Sequence, residues 1–242
     1  MVWFFFALTA AFSIAARDVS IKTYKDLAPP EIAILELLWA LPYFGLGFLL
    51  VETPPLDQTF YWTFILSIPI NILAYVLYLY AIKLSPISLT VPFLAFTPVF
   101  MILTGFFILD ETINIWGGMG ISLIVLGGYV VHCKKKQANF LVPFVAFLQE
   151  KGSWFMLIVS ILFAFAAVIG KKAMLHSSPL FFSYSFFLVF NITVLAGFLL
   201  VGKNDWRKIF CNIPRGMWLG SLFMIHISFH GLAISISTAV YM

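Results

Sequence analysis

Charged residues are scarce in this chain: Asp, Glu, Lys and Arg make up only 10% of its 242 residues, whereas about a quarter is usual in soluble domains. Apolar residues make up 62%, and the mean hydropathy is +1.04. This balance excludes an ordinary soluble domain and predicts a chain that lies mostly in a lipid bilayer. The chain has 15 glycines and 12 prolines, too few for a disordered or collagen-like protein.

Residues suited to covalent or metal chemistry are also few. The two cysteines, Cys133 and Cys211, lie far apart and have no metal-ligand or redox spacing, so we expect neither a disulfide framework nor a bound metal. The sequence contains no phosphate-binding loop, no dinucleotide-binding glycine pattern and no nucleophile elbow. We therefore predict a protein that is not an enzyme and that needs no cofactor. The net charge of +4 is attributed to basic loops at the membrane rather than to nucleic acid binding.

Eight apolar segments are each long enough to cross the bilayer, since a spanning helix needs about 20 residues. Turn-like sequences that contain proline or acidic residues separate them. The sequence therefore predicts an all-α integral membrane protein, a multi-span helical bundle. The predicted spans are Val2–Thr23, Ile32–Val51, Phe60–Ile82, Ile87–Leu109, Ile113–His132, Trp154–Lys172, Leu180–Val201 and Met217–Met242.

Basic residues are distributed unevenly between the two sides. Of the 14 Lys and Arg residues, all but Lys171 and Lys172 fall in or near loops that follow odd-numbered spans. Because cytoplasmic loops carry the excess of basic residues, we expect these loops in the cytoplasm and the N-terminus outside.

A spacing in the first span recurs about 150 residues later, which indicates an internal repeat. Lys22 precedes Pro29 by seven residues, and Lys172 precedes Pro179 by the same distance. Because five is an odd number, the second copy of a five-helix unit enters the membrane in the orientation opposite to that of the first copy. Such inverted repeats occur in many secondary transporters. The sequence thus predicts two inverted five-helix repeats, the second truncated, with about eight of ten helices present. We expect the chain to be a fragment divided into a first repeat (1–132), a linker (133–153) and a partial second repeat (154–242).

The stretch Ala81–Val131 joins a lysine-bearing turn, a proline-bearing helix, a short acidic link and a glycine-rich helix. With this stretch, and with the run Ala15–Lys22, the sequence resembles the EamA-like group of the drug/metabolite transporter superfamily. The resemblance implies a permease or exporter that moves small metabolites across the plasma or bacterial inner membrane. It does not identify the substrate; an aromatic-rich, weakly charged cavity would suit an amino-acid-like compound. The protein would lie in the lipid bilayer, and whether it forms a homodimer stays open. The alternative is a non-transporting membrane scaffold or partner subunit derived from a truncated transporter.

Ionisable side chains inside apolar spans are costly and are therefore candidates for function. Arg17 lies more than one turn deeper than Lys22. It either faces a cavity and holds an anionic substrate group or extends to the cytoplasmic surface. The adjacent Asp18 projects about 100° away on a helix, so we do not expect the two to pair. Glu36 either pairs with a basic residue of the first span or caps the start of the second.

Two further groups are candidates for the substrate cavity. Asn71, Tyr75 and Tyr78 share one face of the third span and form either a cavity wall or a packing surface. His226 and His230, one turn apart in the last span, either relay protons or make interhelical hydrogen bonds. No third ligand accompanies these histidines, so they are not interpreted as a metal site.

The fourth span and the acidic link after it supply the remaining candidates. Thr97, beside Pro98, is a weaker candidate for the cavity. Pro92 and Pro98 are predicted to kink a continuous helix and to act as hinges for alternating access or as packing features. Glu111 is interpreted as a gate or as a cap of the fifth helix, and less favourably as a proton carrier.

Overall fold

The computed structural model describes residues 2–132, 151–201 and 205–236, and in these ranges the chain is helical, without strands. The described part of the chain thus agrees with the predicted all-α class. The helices are α1 (Val2–Thr23), α2 (Pro29–Leu50), α3 (Gln58–Leu84), α4 (Ile87–Thr90), a 3₁₀ segment (Val91–Phe96), α5 (Thr97–Leu109), α6 (Ile115–His132), α7 (Lys151–Leu175), α8 (Pro179–Val201), α9 (Trp206–Cys211) and α10 (Ile213–Ile236).

Six helical segments in the described ranges are long and apolar enough to cross a membrane: α1, α2, α3, Val91–Leu109, α7 and Pro179–Leu200. Helix α6 is counted only as a shorter apolar helix, over Ile115–Gly127. Helix α10 has 24 residues but is not among the six. The chain is therefore a multi-pass membrane protein, and the predicted count of eight spans is not confirmed. Residues 133–150 of the predicted linker, Cys133 among them, and residues 237–242 of the last predicted span lie outside the described residues.

Contacts between residues divide the described chain into two units. Unit 1 contains residues 2–68 and 170–236, and unit 2 contains the described residues between 69 and 169. Helices α3 and α7 each contribute to both units. Unit 1 thus combines the first two predicted spans with the last two. The boundaries of the two repeats, at residues 132 and 154, remain predictions.

Unit 1 is built on close contacts of α2 with α8 and with α10. A Cβ atom added to Gly220 would lie 2.9 Å from the backbone nitrogen of Ala40, so only glycine permits this approach of α10 to α2. Gly47 of α2 likewise lies against the ring of Tyr184. Small residues at crossing points allow close packing in lipid, where no hydrophobic force drives helices together.

In unit 2, a small apolar core holds α5, α6 and α7 together. It consists of Met101, Ile121, Ala164 and Val168, with partly buried side chains around it. The Thr104 hydroxyl also lies 3.5 Å from the carbonyl oxygen of Ala164, to which it donates a hydrogen bond. The core therefore joins α7 to α5 and α6, which precede it in the sequence.

The fourth predicted span is broken rather than kinked, which corrects the expectation for its two prolines. It comprises α4, the 3₁₀ segment and α5, with Pro92 in the first turn of the 3₁₀ segment and Pro98 in the first turn of α5. A proline in the first turn of a helix costs little, because its missing N–H would have no partner there. Neither proline thus interrupts the interior of a continuous helix.

The turn after α5 also differs from the prediction that Glu111 caps the next helix. Asp110 ends α5 in the left-handed conformation, with a φ of 54°. Asn114 then caps α6, because its side-chain oxygen accepts a hydrogen bond of 2.8 Å from the backbone nitrogen of Gly117. Glu111 lies three residues earlier, so its predicted role as a cap is wrong, while that of a gate remains a prediction.

Candidate functional site

A cluster of buried charged side chains lies in unit 1, where side chains of α1 and α2 meet; both helices pack against α10. Arg17 is 2% exposed and Glu36 is completely buried. The guanidinium donates through Nε to Glu36 Oε1 and through Nη2 to Glu36 Oε2, the latter over 2.8 Å. This two-point contact is the strong geometry for an arginine and a carboxylate. Of the alternatives for Glu36, the structure therefore selects the ion pair with the first span, and Arg17 does not extend to the surface.

Asp18 belongs to the same cluster, so the expectation that it does not pair with Arg17 is wrong. Arg17 Nη1 lies 3.3 Å from Asp18 Oδ1, and Asp18 is 6% exposed. The prediction considered only the directions of the two Cα–Cβ bonds on the helix. An arginine side chain is long and flexible enough for its guanidinium to reach a carboxylate on the neighbouring residue.

Aromatic rings enclose this cluster on the side of α10. The Cζ atom of Arg17 lies 5.8 Å from the ring centroid of Phe223, within the range of a cation–π interaction. The ring of Phe223 in turn packs edge-on against Phe44 of α2 and Phe187 of α8. The charges therefore lie in an apolar environment, where electrostatic interactions are stronger than in water.

The two histidines of α10 follow Phe223 in the sequence and interact with each other. Their imidazole rings are stacked, with centroids 5.4 Å apart. His226 Nδ1 is also 3.1 Å from the backbone oxygen of Ala10 in α1. The interhelical hydrogen bond, one of the two interpretations of these residues, is thus present for His226. In the described ranges, no three His, Cys, Asp or Glu side chains come together as a metal site.

Polar pairs join neighbouring segments at both ends of α2. At the end where α2 begins, Arg215 Nη1 donates to both carboxylate oxygens of Asp26, at 3.0 and 2.8 Å. At the other end, His176 Nδ1 lies 2.6 Å from Asp57 Oδ2. The backbone N–H of Phe60 bonds the other oxygen of Asp57, and this bond, aided by His176, lowers the pKa of that carboxyl. Helix α2, which lies between the two pairs in the sequence, has 22 residues and is therefore about 33 Å long.

The other predicted cavity residues lie in unit 2. Tyr75 and Tyr78 are buried on one face of α3, Asn71 is half-buried, and the ring of Tyr78 packs against Phe163. The hydroxyl oxygen of Thr97 is buried at the start of α5 without a hydrogen-bond partner among the described residues. Their role in lining a cavity remains a prediction.

A groove in unit 2 lies away from these residues. This groove of about 640 Å³ is lined by Ile113, Asn114 and residues of α6. It contains none of the predicted site residues, so it gives no support to a substrate site.

One polar residue with a notable environment was missed by the sequence analysis. Asn191 lies at the middle of α8 and is completely buried. Neither its side-chain oxygen nor its nitrogen has a hydrogen-bond partner in the described part of the chain. The available signal was the only amide side chain in a 23-residue helix whose other polar side chains are hydroxyls, but only the packing shows that the amide is buried.

Membrane-length helices that enclose buried charges define an integral membrane protein of the multi-pass class. Residues 1–133, more than half of the chain, match the EamA-like transporter family. The chain therefore belongs to the EamA-like transporter family, which confirms the resemblance seen in the sequence.

Two further comparisons add little about function. A solved structure, described only as the crystal structure of a protein, is 11% identical, with a TM-score of 0.53. The alignment covers 98% of this chain and 91% of that one, and at this identity it supports the fold alone. No curated protein matches the chain significantly.

Proposed function

We propose that the chain is a secondary transporter that moves a small metabolite across a plasma or bacterial inner membrane by alternating access. The observation that carries this proposal is the buried cluster of Arg17, Asp18 and Glu36 within helices of membrane length. Charged side chains at such depth are costly and typically mark the path of a substrate or ion. Family membership supports the same function.

The geometry of the cluster favours a switching role for Arg17 over simple capture of an anion. Both edges of its guanidinium are engaged, by Glu36 and by Asp18. An anionic substrate group must therefore displace a carboxylate, and the displaced carboxylate then needs a proton or another cation. Such an exchange of partners gives α1 and α2 two discrete arrangements, which alternating access requires.

The pairs at the two ends of α2 are suited to act as gates. Asp26 and Arg215 join the segment after α1 to α10, while Asp57 and His176 join the segments before α3 and α8. In this proposal one pair breaks while the other persists, so that the central cluster is open to one side at a time.

The proposal is tested with the purified full chain in liposomes loaded with a metabolite extract. Mass spectrometry measures which compounds leave, in comparison with liposomes without protein. The variants are Arg17→Met and, as matched control, Thr193→Val, which alters an exposed residue of α8. We expect at least one compound to leave faster through the wild type and the control, and slower through Arg17→Met. Equal loss of every compound with and without protein would favour the alternative of a non-transporting scaffold.

We also propose proton coupling, with His226 and His230 as the relaying groups. Their stacked rings next to α1 support this idea, because imidazole transfers protons near neutral pH. The test imposes a pH gradient on the same liposomes. The rate of transport of the identified compound should change with the direction of the gradient. An equal rate in both directions of the gradient would contradict proton coupling, but it would not contradict the transporter function.

A further inference from the structure

Asn191 is the only residue in the described ranges whose side chain has two buried polar atoms, the amide nitrogen and the amide oxygen, without hydrogen-bond partners. Buried amides almost always find partners in proteins, and each exception calls for an explanation. An apolar residue of similar shape, such as leucine, would remove the energetic cost of the unmet hydrogen bonds. The position at the middle of α8 also places this amide near the centre of the bilayer, where a transporter holds its substrate.

The surroundings of Asn191 connect it to the charged cluster. Phe187 lies one turn before Asn191 on the same face of α8. The ring of Phe187 packs against Phe223, and Phe223 packs against the guanidinium of Arg17. The amide therefore belongs to the interior region of unit 1 that contains the aromatic rings and the buried charges.

We infer that Asn191 is a substrate-binding residue that recognises a hydrogen-bond donor and an adjacent acceptor on an apolar or aromatic frame. A carboxamide, a lactam or the edge of a nucleobase satisfies both atoms of the asparagine amide at once. A carboxylate only accepts and an ammonium group only donates, so neither satisfies both. The phenylalanine rings nearby provide the apolar contacts for the rest of the molecule.

This inference rests on the proposed function, because the amide is completely buried and a ligand reaches it only when the helices around it separate. Alternating access supplies that separation. A ligand that restores both hydrogen bonds then stabilises the occupied state relative to the empty closed one.

The test uses benzamide as the probe, with benzoate and toluene as matched compounds that lack the donor or both polar groups. Melting temperatures of the purified full chain are measured against probe concentration. The variants are Asn191→Leu, Asn191→Ala in case the leucine variant does not fold, and Thr193→Val as a control on the exposed face of the same helix.

We expect benzamide to raise the melting temperature of the wild type and of Thr193→Val in a saturable way. Benzoate and toluene should produce a smaller rise or none. The Asn191 variants should lose the benzamide response, and Asn191→Leu should melt at a higher temperature than the wild type without any probe. An equal benzamide response in the variants, or none in the wild type, overturns the inference.

This readout separates the inference from the proposed function. Benzamide binding that depends on Asn191, without transport of any compound from loaded liposomes, would retain the site and reject the transporter. Transport without any dependence of binding on Asn191 would do the reverse.

Discussion

Replacement of Arg17 by methionine removes the cation from the buried cluster and leaves both carboxylates in place. Arg17 and Glu36 are 2% and 0% exposed and make a two-point contact, so solvent cannot replace the lost partner. Removal of one member of a buried ion pair costs about 3–5 kcal/mol of stability. Because Asp18 also loses its contact, we expect Arg17→Met to lie in this range.

Glu36→Gln should be milder, since Arg17 keeps Asp18 and the glutamine retains an acceptor oxygen. We expect a loss of about 1.5–3 kcal/mol, the contribution of a hydrogen bond to a charged group. In the double variant the glutamine is neutral and needs no cation. The combined loss should therefore fall short of the sum of the two single losses by about 1–3 kcal/mol.

The assay is unfolding of the purified protein in detergent, followed by the loss of helical circular dichroism. Lys25→Met is the control, because it removes a positive charge from an exposed position next to α1. Equal stability of Arg17→Met and Lys25→Met, or full additivity in the double variant, would refute the reasoning that the cluster is a buried and coupled unit.

Three further substitutions test local features by the same unfolding assay. Gly220→Ala should destabilise the protein, because its Cβ would meet the backbone of Ala40 at 2.9 Å, whereas Gly197→Ala, with nothing within 4 Å, should be neutral or stabilising; equal effects would contradict this packing. Asp110→Gly should raise stability by up to about 1 kcal/mol, because it removes the cost of a left-handed residue, and a loss would be the contrary result. Asp57→Asn should destabilise at neutral pH. The folded pKa of Asp57 lies below the ordinary 3.8, so its carboxylate stabilises the fold above pH 3.8, and this stabilisation disappears as the pH falls through the folded pKa. A variant that is still less stable than the wild type in acid would count against this pair.

The helices of unit 1 follow from the sequence because each is a long apolar run with clear limits. Helix α1 has the predicted bounds, Val2–Thr23, since charged and polar residues follow directly. Helix α2 begins at Pro29, three residues earlier than predicted, because proline is favoured in the first turn. The break in the fourth span could not be predicted, because the hydropathy of a sequence does not distinguish an α-helix from a 3₁₀-helix.

The site was less accessible to sequence reasoning than the fold. The sequence identifies Arg17 and Glu36 as costly residues, but whether they meet depends on how α1 and α2 each pack against α10. Asp18 was excluded by a helical-wheel argument that ignores the reach of a long side chain. Asn191 is not among the predicted site residues, because only tertiary packing shows that its amide is buried without a partner among the described residues.

The central claim, alternating access, is tested most directly by locking one gate. Asp26→Cys and Arg215→Cys are introduced into a chain that lacks its two native cysteines, and a thiol-specific crosslinker with a disulfide in its spacer, which a reductant cleaves, then joins the new pair. The measurement is the flux of the compound identified in the liposome experiment, before crosslinking, after it, and after reduction. The account predicts that flux stops when the pair is joined and resumes when it is released. Flux that continues through the crosslinked protein would contradict it.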